Sequence, residues 1–229
     1  AIYSHSKDYN TADSREKLLH NIITSIKTEL EKNVGTAEVR NEYLFIRIER
    51  QVRVFIEKLE EEITDSGFTP FLFEQKIGRT GIRPMEFVSS DGVRIIIEGI
   101  ADRIDIRENE SSVMIRVLDY KTGNKKFSMK DLENGTEIQL LIYVFSLLNA
   151  CNLYEFNKPL SFGGAIYVSN NLSTFNVSRE VDSEKVIDTA KDKIVFSGIL
   201  PDSFSSDDKS NYVYLSESEL SSSKDKLIA

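Results

Sequence analysis

Between residues 71 and 122 the chain carries four short runs dominated by β-branched and aromatic residues: FLFEQKI (71–77), MEFV (85–88), VRIIIEGIADRIDI (93–106) and VMIRVLDYKT (113–122). Runs of this length and composition predict strands of an antiparallel meander. Turn signals separate them: Arg79-Thr80-Gly81 with Pro84, then Ser89-Ser90-Asp91-Gly92, then Arg107 to Ser112. A sheet with an apolar face has to be covered. After Asn134-Gly135, the segment TEIQLLIYVFSLLNAC sets Ile138, Leu141, Ile142, Phe145 and Leu148 at helical spacing, so a buried helix supplies the cover.

Upstream, Leu18, Leu19, Ile22, Ile23, Ile26 and Leu30 follow Ser14 with helical period. A second, longer helix runs from Thr36 to about Ser66 through Tyr43, Leu44, Ile48, Val52, Phe55, Ile56, Leu59 and Ile63, with Ser66-Gly67 as its stop. Downstream, SFGGAIYV (161–168) predicts another strand, and SEKVIDTAKDKIVFSGIL (183–200) predicts a helix capped by Ser183 and ended near Gly198. The class is α/β, a mixed central β-sheet flanked by helices. We divide the chain into a helical segment (1–68), a core (69–200) and a tail or linker rich in serine and charge (201–229).

With 40% hydrophobic and 29% charged residues over 229 positions, disordered and fibrous classes are excluded. No stretch resembles a membrane span or a signal core, so no membrane partner is expected. The single cysteine, Cys151, cannot form an internal disulfide and reads as a core residue. A formal charge of -8 argues against nucleic-acid binding through an overall basic surface but leaves local basic strips open. The chain opens at Ala1 without a methionine, which we read as a piece of something longer.

Glu74, Asp102, Asp119 and Lys121 fall where adjacent strands should run side by side. Asp102 follows RIIIEGI and Asp119 follows VMIRVL, each carboxylate ending an apolar run. A carboxylate is costly to bury unless paired or bound to a cation. Converging carboxylates suit a hard divalent ion, Mg²⁺ or Mn²⁺, and a neighbouring ammonium can steady a developing phosphoryl charge. Asp119 and Lys121, two apart on one strand face, could equally be an ordinary ion pair worth about 0.2–1 kcal/mol.

FLFEQKIG, IEGIADRID, VLDYKTG and EIQLLIY, in this order, resemble the PD-(D/E)XK nuclease superfamily and within it the RecB-type nucleases. The matching residues are Gly99 and Asp102, then Asp119, Tyr120, Lys121, Thr122 and Gly123, then Gln139 and Tyr143. The Asp-Arg-Ile-Asp form, the long helix before Glu74 and the later GGAIYV and FSGIL segments are most similar to the C-terminal nuclease domains of the AddB (RexB) family, subunits of ATP-dependent helicase-nucleases. The resemblance implies that Asp102, Asp119 and the backbone carbonyl of Tyr120 are metal ligands for Mg²⁺ or Mn²⁺. It implies that Lys121 is the catalytic lysine, that Glu74 lies near the metal, and that Gln139 and Tyr143 approach the site and the DNA. Capping and core packing are the other reading of those last two. It further implies a DNA exonuclease acting on the strand ending 5′ in double-strand break repair, a helicase/nuclease partner subunit of AddA type, and a bacterial cytoplasmic setting.

Two departures stand out. An active-site histidine after a glycine on an early helix has no match, since His5 and His20 lack that context, and the four cysteines of the AddB-type iron-sulfur cluster are absent. A domain lacking these is expected to bind metal weakly and cleave poorly. No Gly-x-x-x-x-Gly-Lys-Ser/Thr segment occurs, so ATP must be used elsewhere. A stand-alone RecB-like or CRISPR-associated exonuclease and a decayed DNA-binding or scaffold module remain as alternatives. Arg79, Arg83, Lys125, Lys126 and Lys130 are loop cations able to meet phosphates.

Overall fold

The computed structural model describes residues 12–34, 38–150, 156–170, 190–204 and 212–215. The chain divides into two units, Ala1–Ser66 with Thr174–Asp192, and Gly67–Ser173 with Lys193–Ala229. In the first, the helical periodicity yields α1 (Ala12–Val34) and α2 (Glu38–Ser66). Leu19, Val54 and Leu59 are buried there. Arg53 donates to both carboxylate oxygens of Glu16 at 2.8 and 3.0 Å, and Lys191 Nζ reaches Glu57 at 3.0 Å and Glu61 at 2.6 Å. Such solvated pairs contribute about 0–1 kcal/mol each.

The second unit holds β1 (Thr69–Ile77), β2 (Glu86–Val88), β3 (Arg94–Ile96), β4 (Gly99–Glu108), β5 (Val113–Thr122), α3 (Met129–Glu133), α4 (Gln139–Asn149), β6 (Leu160–Asn170), β7 (Ile194–Pro201), a 3-10 turn (Asp202–Phe204) and β8 (Tyr212–Leu215). Six strands form one mixed sheet in the order β1-β4-β5-β6-β7-β8, so the α/β class holds. β1/β4, β4/β5 and β6/β7 are antiparallel, while β5/β6 and β7/β8 are parallel.

Parallel neighbours need a crossover, and between β5 and β6 that crossover contains α4, which packs on both strands. Every residue from Leu140 to Leu147 is buried. Leu141, Val144 and Phe145 join Ile104, Ile115, Val117, Ala165 and Tyr167 in one apolar cluster. Ser146, the polar residue of that stretch, is satisfied because its Oγ accepts from Met85 N at 3.1 Å.

Three sequence expectations change. The run 93–106 is not one strand: it breaks at Ile97-Glu98, its first part pairing with β2 in a separate two-stranded ribbon, so that β1 lies directly against β4. The expected helix over 183–200 is a strand from Ile194 onward, and residues 183–189 lie outside the described residues. A short apolar run such as IVFSGIL fits either period, and the free edge of β6 decides for a strand. Gly198 is then no helix stop. It pairs with Ile166, and a side chain there would collide with β6 backbone, Ile166 Cα lying 2.9 Å from the added carbon. Finally, Tyr212–Leu215, inside the expected tail, pairs in parallel with β7.

Gly198→Ala therefore tests the strand. A methyl pressed into neighbouring backbone should cost about 1–3 kcal/mol in urea unfolding. In a helix the same change would be stabilising, by about 1 kcal/mol.

Candidate active site

β5 is buried from Val113 to Asp119 apart from half-buried Met114, and it emerges toward solvent at Tyr120, near its end at Thr122. Asp119 is 6% exposed. Its Oδ2 accepts no hydrogen bond. Lys121 Nζ stands 2.5 Å from that oxygen as an ion pair without hydrogen-bond alignment. Burial pushes the Asp119 carboxyl above the ordinary aspartate range, the Lys121 ammonium offsets part of this, and the Asp102 charge adds to it.

The β4/β5 register runs through Arg103↔Leu118, so its next step sets Asp102 opposite Asp119. Asp102 Oδ2 accepts from Tyr120 N at 2.8 Å. On a regular strand the N–H and C=O of one residue face the same neighbour, which directs the Tyr120 carbonyl to the Asp102 side. The parallel β5/β6 register pairs Asp119 with Tyr167 and Lys121 with Ser169. Lys121 Nζ lies 5.6 Å from the Tyr167 ring centroid, within cation–π range.

Tyr120 also ties this end of the sheet to a charge cluster. Arg103 Nη1 donates to Tyr120 Oη at 2.9 Å. Arg103 also grips Asp105 through two bonds of 2.7 Å, and Arg116 donates to Asp105 Oδ2 at 3.0 and 2.8 Å. All three groups are fully buried, and the Phe68 ring stacks 4.3 Å from the Arg116 guanidinium. In the sequence, Arg103 and Asp105 look like ordinary strand-end charges. The alternation Arg103, Asp105 on β4 with Arg116 opposite is the signal for more.

Gln139 and Tyr143 meet each other: Gln139 Nε2 donates to Tyr143 Oη at 2.7 Å. The Tyr143 ring is buried with its hydroxyl against Gly99, where an added methyl would lie 2.6 Å from Cζ. Gly99 thus gives Tyr143 its space, while Gln139 remains exposed at the start of α4.

Glu74 does not join the others. It is exposed on β1 in the register position opposite Asp102, the pairing is interrupted there, and it makes no hydrogen bond or ion pair among the described residues. Its φ of 47° is in the left-handed region, costing about 1–2 kcal/mol for a residue with a side chain. His20 is exposed on α1, while His5 and Cys151 lie outside the described residues.

Sequence reasoning missed Glu137. It is 5% exposed, neither carboxylate oxygen accepts a hydrogen bond, and its ion-pair partner is Lys125. Glu137 raises the Lys125 ammonium's pKa. Burial, then the Glu137 and Asp119 charges, push the Tyr167 phenol well up. A carboxylate directly before an apolar helix was the available signal.

Among the described residues no group of three or more His, Cys, Asp and Glu side chains is placed to hold a metal. The candidate donors are two carboxylates and a carbonyl, all hard oxygen ligands. This set suits an ion such as Mg²⁺, which takes one or two carboxylates and retains waters. The buried Asp119 oxygen, held only by its ion pair with Lys121 among the described residues, fits that use.

Asp105→Asn removes the carboxylate charge that two buried guanidiniums share and should cost about 3–5 kcal/mol in urea unfolding. Gly99→Ala, which crowds Tyr143, should cost about 1–3 kcal/mol in the same measurement.

The model of the PD-(D/E)XK nuclease superfamily matches residues 3–196. The chain is 29% identical over 162 residues to an ATP-dependent helicase/deoxyribonuclease subunit from Clostridium acetobutylicum, covering 70% of this chain and 14% of that protein. It is 29% identical over 158 residues to the protein of the same name from Alkaliphilus oremlandii, with 69% and 14% covered. For that of Clostridioides difficile the identity is 25% over 182 residues, with 78% and 15% covered. The chain therefore spans only a small part of the length of these curated relatives. No helix among the described residues is long and apolar enough to cross a membrane. With the family model matched over most of its length and the mixed sheet carrying Asp119-Tyr120-Lys121 at its end, the chain belongs to the PD-(D/E)XK nuclease superfamily.

Proposed function

We propose that this chain is a metal-dependent DNA exonuclease domain. It works in an assembly of the AddAB (RexAB) type that processes double-strand breaks for recombinational repair, with ATP used by a helicase/nuclease subunit of AddA type. The observation that carries the reading is the Asp119 carboxylate: buried, lacking a hydrogen bond on Oδ2, opposite Asp102 and beside Lys121. An apolar pair would serve stability as well or better, so such a group needs another reason to be there.

Asp102 and Asp119, with the Tyr120 carbonyl, would hold Mg²⁺ or Mn²⁺. Such an ion supplies Lewis acidity at a phosphoryl oxygen and lowers the pKa of bound water. Lys121, set between Asp119 and the Tyr167 ring, orients the attacking water through its N–H donors and stabilises charge at phosphorus. The network Asp105–Arg103–Tyr120 holds strand β5 so that Tyr120 N–H fixes the Asp102 carboxylate in one orientation. Gln139, exposed and anchored on Tyr143, meets the DNA backbone. With a net charge of -8 on this chain, the assembly contributes most of the DNA affinity.

Calorimetric titration with Mg²⁺ and Mn²⁺, paired with cleavage of end-labelled single-stranded DNA, tests the reading. The wild-type chain should bind and cleave, and Asp119→Asn should do neither. Because the folded carboxyl titrates above its ordinary value, ionisation penalises folding progressively as pH rises from the unfolded-state value to the folded one, and the full cost is present above both. The Asn variant should therefore melt no lower than wild type without metal, and any gain should appear as about 2–4 °C per kcal/mol. Lys121→Ala should keep metal binding while losing roughly 10²–10³ in rate. Equal cleavage by wild type and Asp119→Asn, or no binding and no cleavage by wild type, would overturn the assignment.

A further inference from the structure

The same unit holds a second buried carboxylate with its own lysine. Glu137 is 5% exposed and its two oxygens accept no hydrogen bond. Its charge partner Lys125 keeps a side chain 44% exposed. Tyr167 sits beside Asp119 in the β5/β6 register and its ring takes Lys121 Nζ. Burial, then the Glu137 and Asp119 charges, push its phenol up.

The Lys125 segment is not an ordinary solvated loop. Gly123 N donates to Asn170 O at 3.0 Å, Ser169 Oγ donates to the Lys125 carbonyl, and Phe127 N donates to Ser197 Oγ at 3.0 Å. These bonds pin residues 123–127 to the carboxyl end of β6 and to Ser197 in the middle of β7, next to the carboxyl end of β5. By contrast Arg79 and Arg83 have side chains 85% and 80% exposed, with partners only at 3.8 and 3.9 Å. A carboxylate buried solely to neutralise a lysine adds little to stability. It does fix the position of an ammonium, which carries three N–H donors, of which one direction is taken by Glu137.

We propose that Lys125 is a phosphate-contacting residue for the DNA strand beside the scissile bond and that Glu137 is its positioning residue. The assignment rests on the nuclease reading above. In a chain of net charge -8, a cation held in place at the site mouth is what a polyanion requires.

The test uses fluorescein-labelled single-stranded DNA and this chain, with binding followed by anisotropy across potassium chloride concentrations in EDTA, and with steady-state cleavage in Mg²⁺ or Mn²⁺. Lys125→Gln is combined with Glu137→Gln so that no buried carboxylate is left unpaired, and circular dichroism checks the fold. Losing one phosphate contact should make the slope of log K against log salt shallower by about 0.7. KM should rise roughly tenfold with kcat within about twofold of wild type. Glu137→Gln alone keeps the cation, so its slope should match wild type while KM rises about threefold. Lys158→Gln, the same charge change at the opposite end of β5, where Lys158 pairs with Glu108, should leave both unchanged. A wild-type slope in the double variant, or an equal change in Lys158→Gln, overturns the Lys125 assignment while the nuclease reading stands. Failure of the wild-type chain to cleave at all overturns the nuclease reading itself.

Discussion

The parallel pairing of β5 with β6 is the constraint on which the site depends. Parallel strands cannot be joined by a tight turn, so the chain crosses back through α3 and α4, and α4 is apolar enough to bury every residue from Leu140 to Leu147. That crossover brings the carboxyl ends of two strands to one edge. Asp119 meets Tyr167, Lys121 meets Ser169, and the segment after β5 is tied down on β6 and β7. Ligands of open α/β sheets sit at such strand ends because side chains there leave the core together.

Among the described residues, three buried carboxylates of this unit are treated in three ways. Asp105 is saturated by two guanidiniums and serves as structure. Asp119 keeps an oxygen without a hydrogen bond and one short ion pair. Glu137 has no hydrogen bond and leans on a lysine that reaches solvent. Low dielectric makes each arrangement matter more than it would at a surface, since an unsatisfied buried charge costs several kcal/mol. Asp119 lies near the carboxyl end of β5 and Glu137 just before α4, while the saturated Asp105 lies in the sheet interior.

Membership of the family was legible because its residues are local: Asp119 to Gly123 are consecutive, and Gly99 with Asp102 and Gln139 with Tyr143 are within one strand and one helix. Periodicity gave the long helices and α4 for the same reason. It failed at 194–201, where a short apolar run fits both periods and only the open edge of β6 selects a strand. It failed again at 93–106, where the Ile97-Glu98 break is invisible in an otherwise β-rich run. The motif glycine Gly99 could be seen, but its reason could not, because the Tyr143 ring that needs the space comes from a helix over forty residues later.

The sequence by itself determined the α/β class, the order Asp102, Asp119, Lys121, and the burial of α4, since each follows from local pattern and the cost of exposing apolar surface. Tertiary structure alone decided which strands became neighbours, that Arg103 and Arg116 share Asp105, and that Glu137 holds Lys125 near the site. Those are long-range pairings, and electrostatic partners across a fold are chosen by geometry that no single segment encodes.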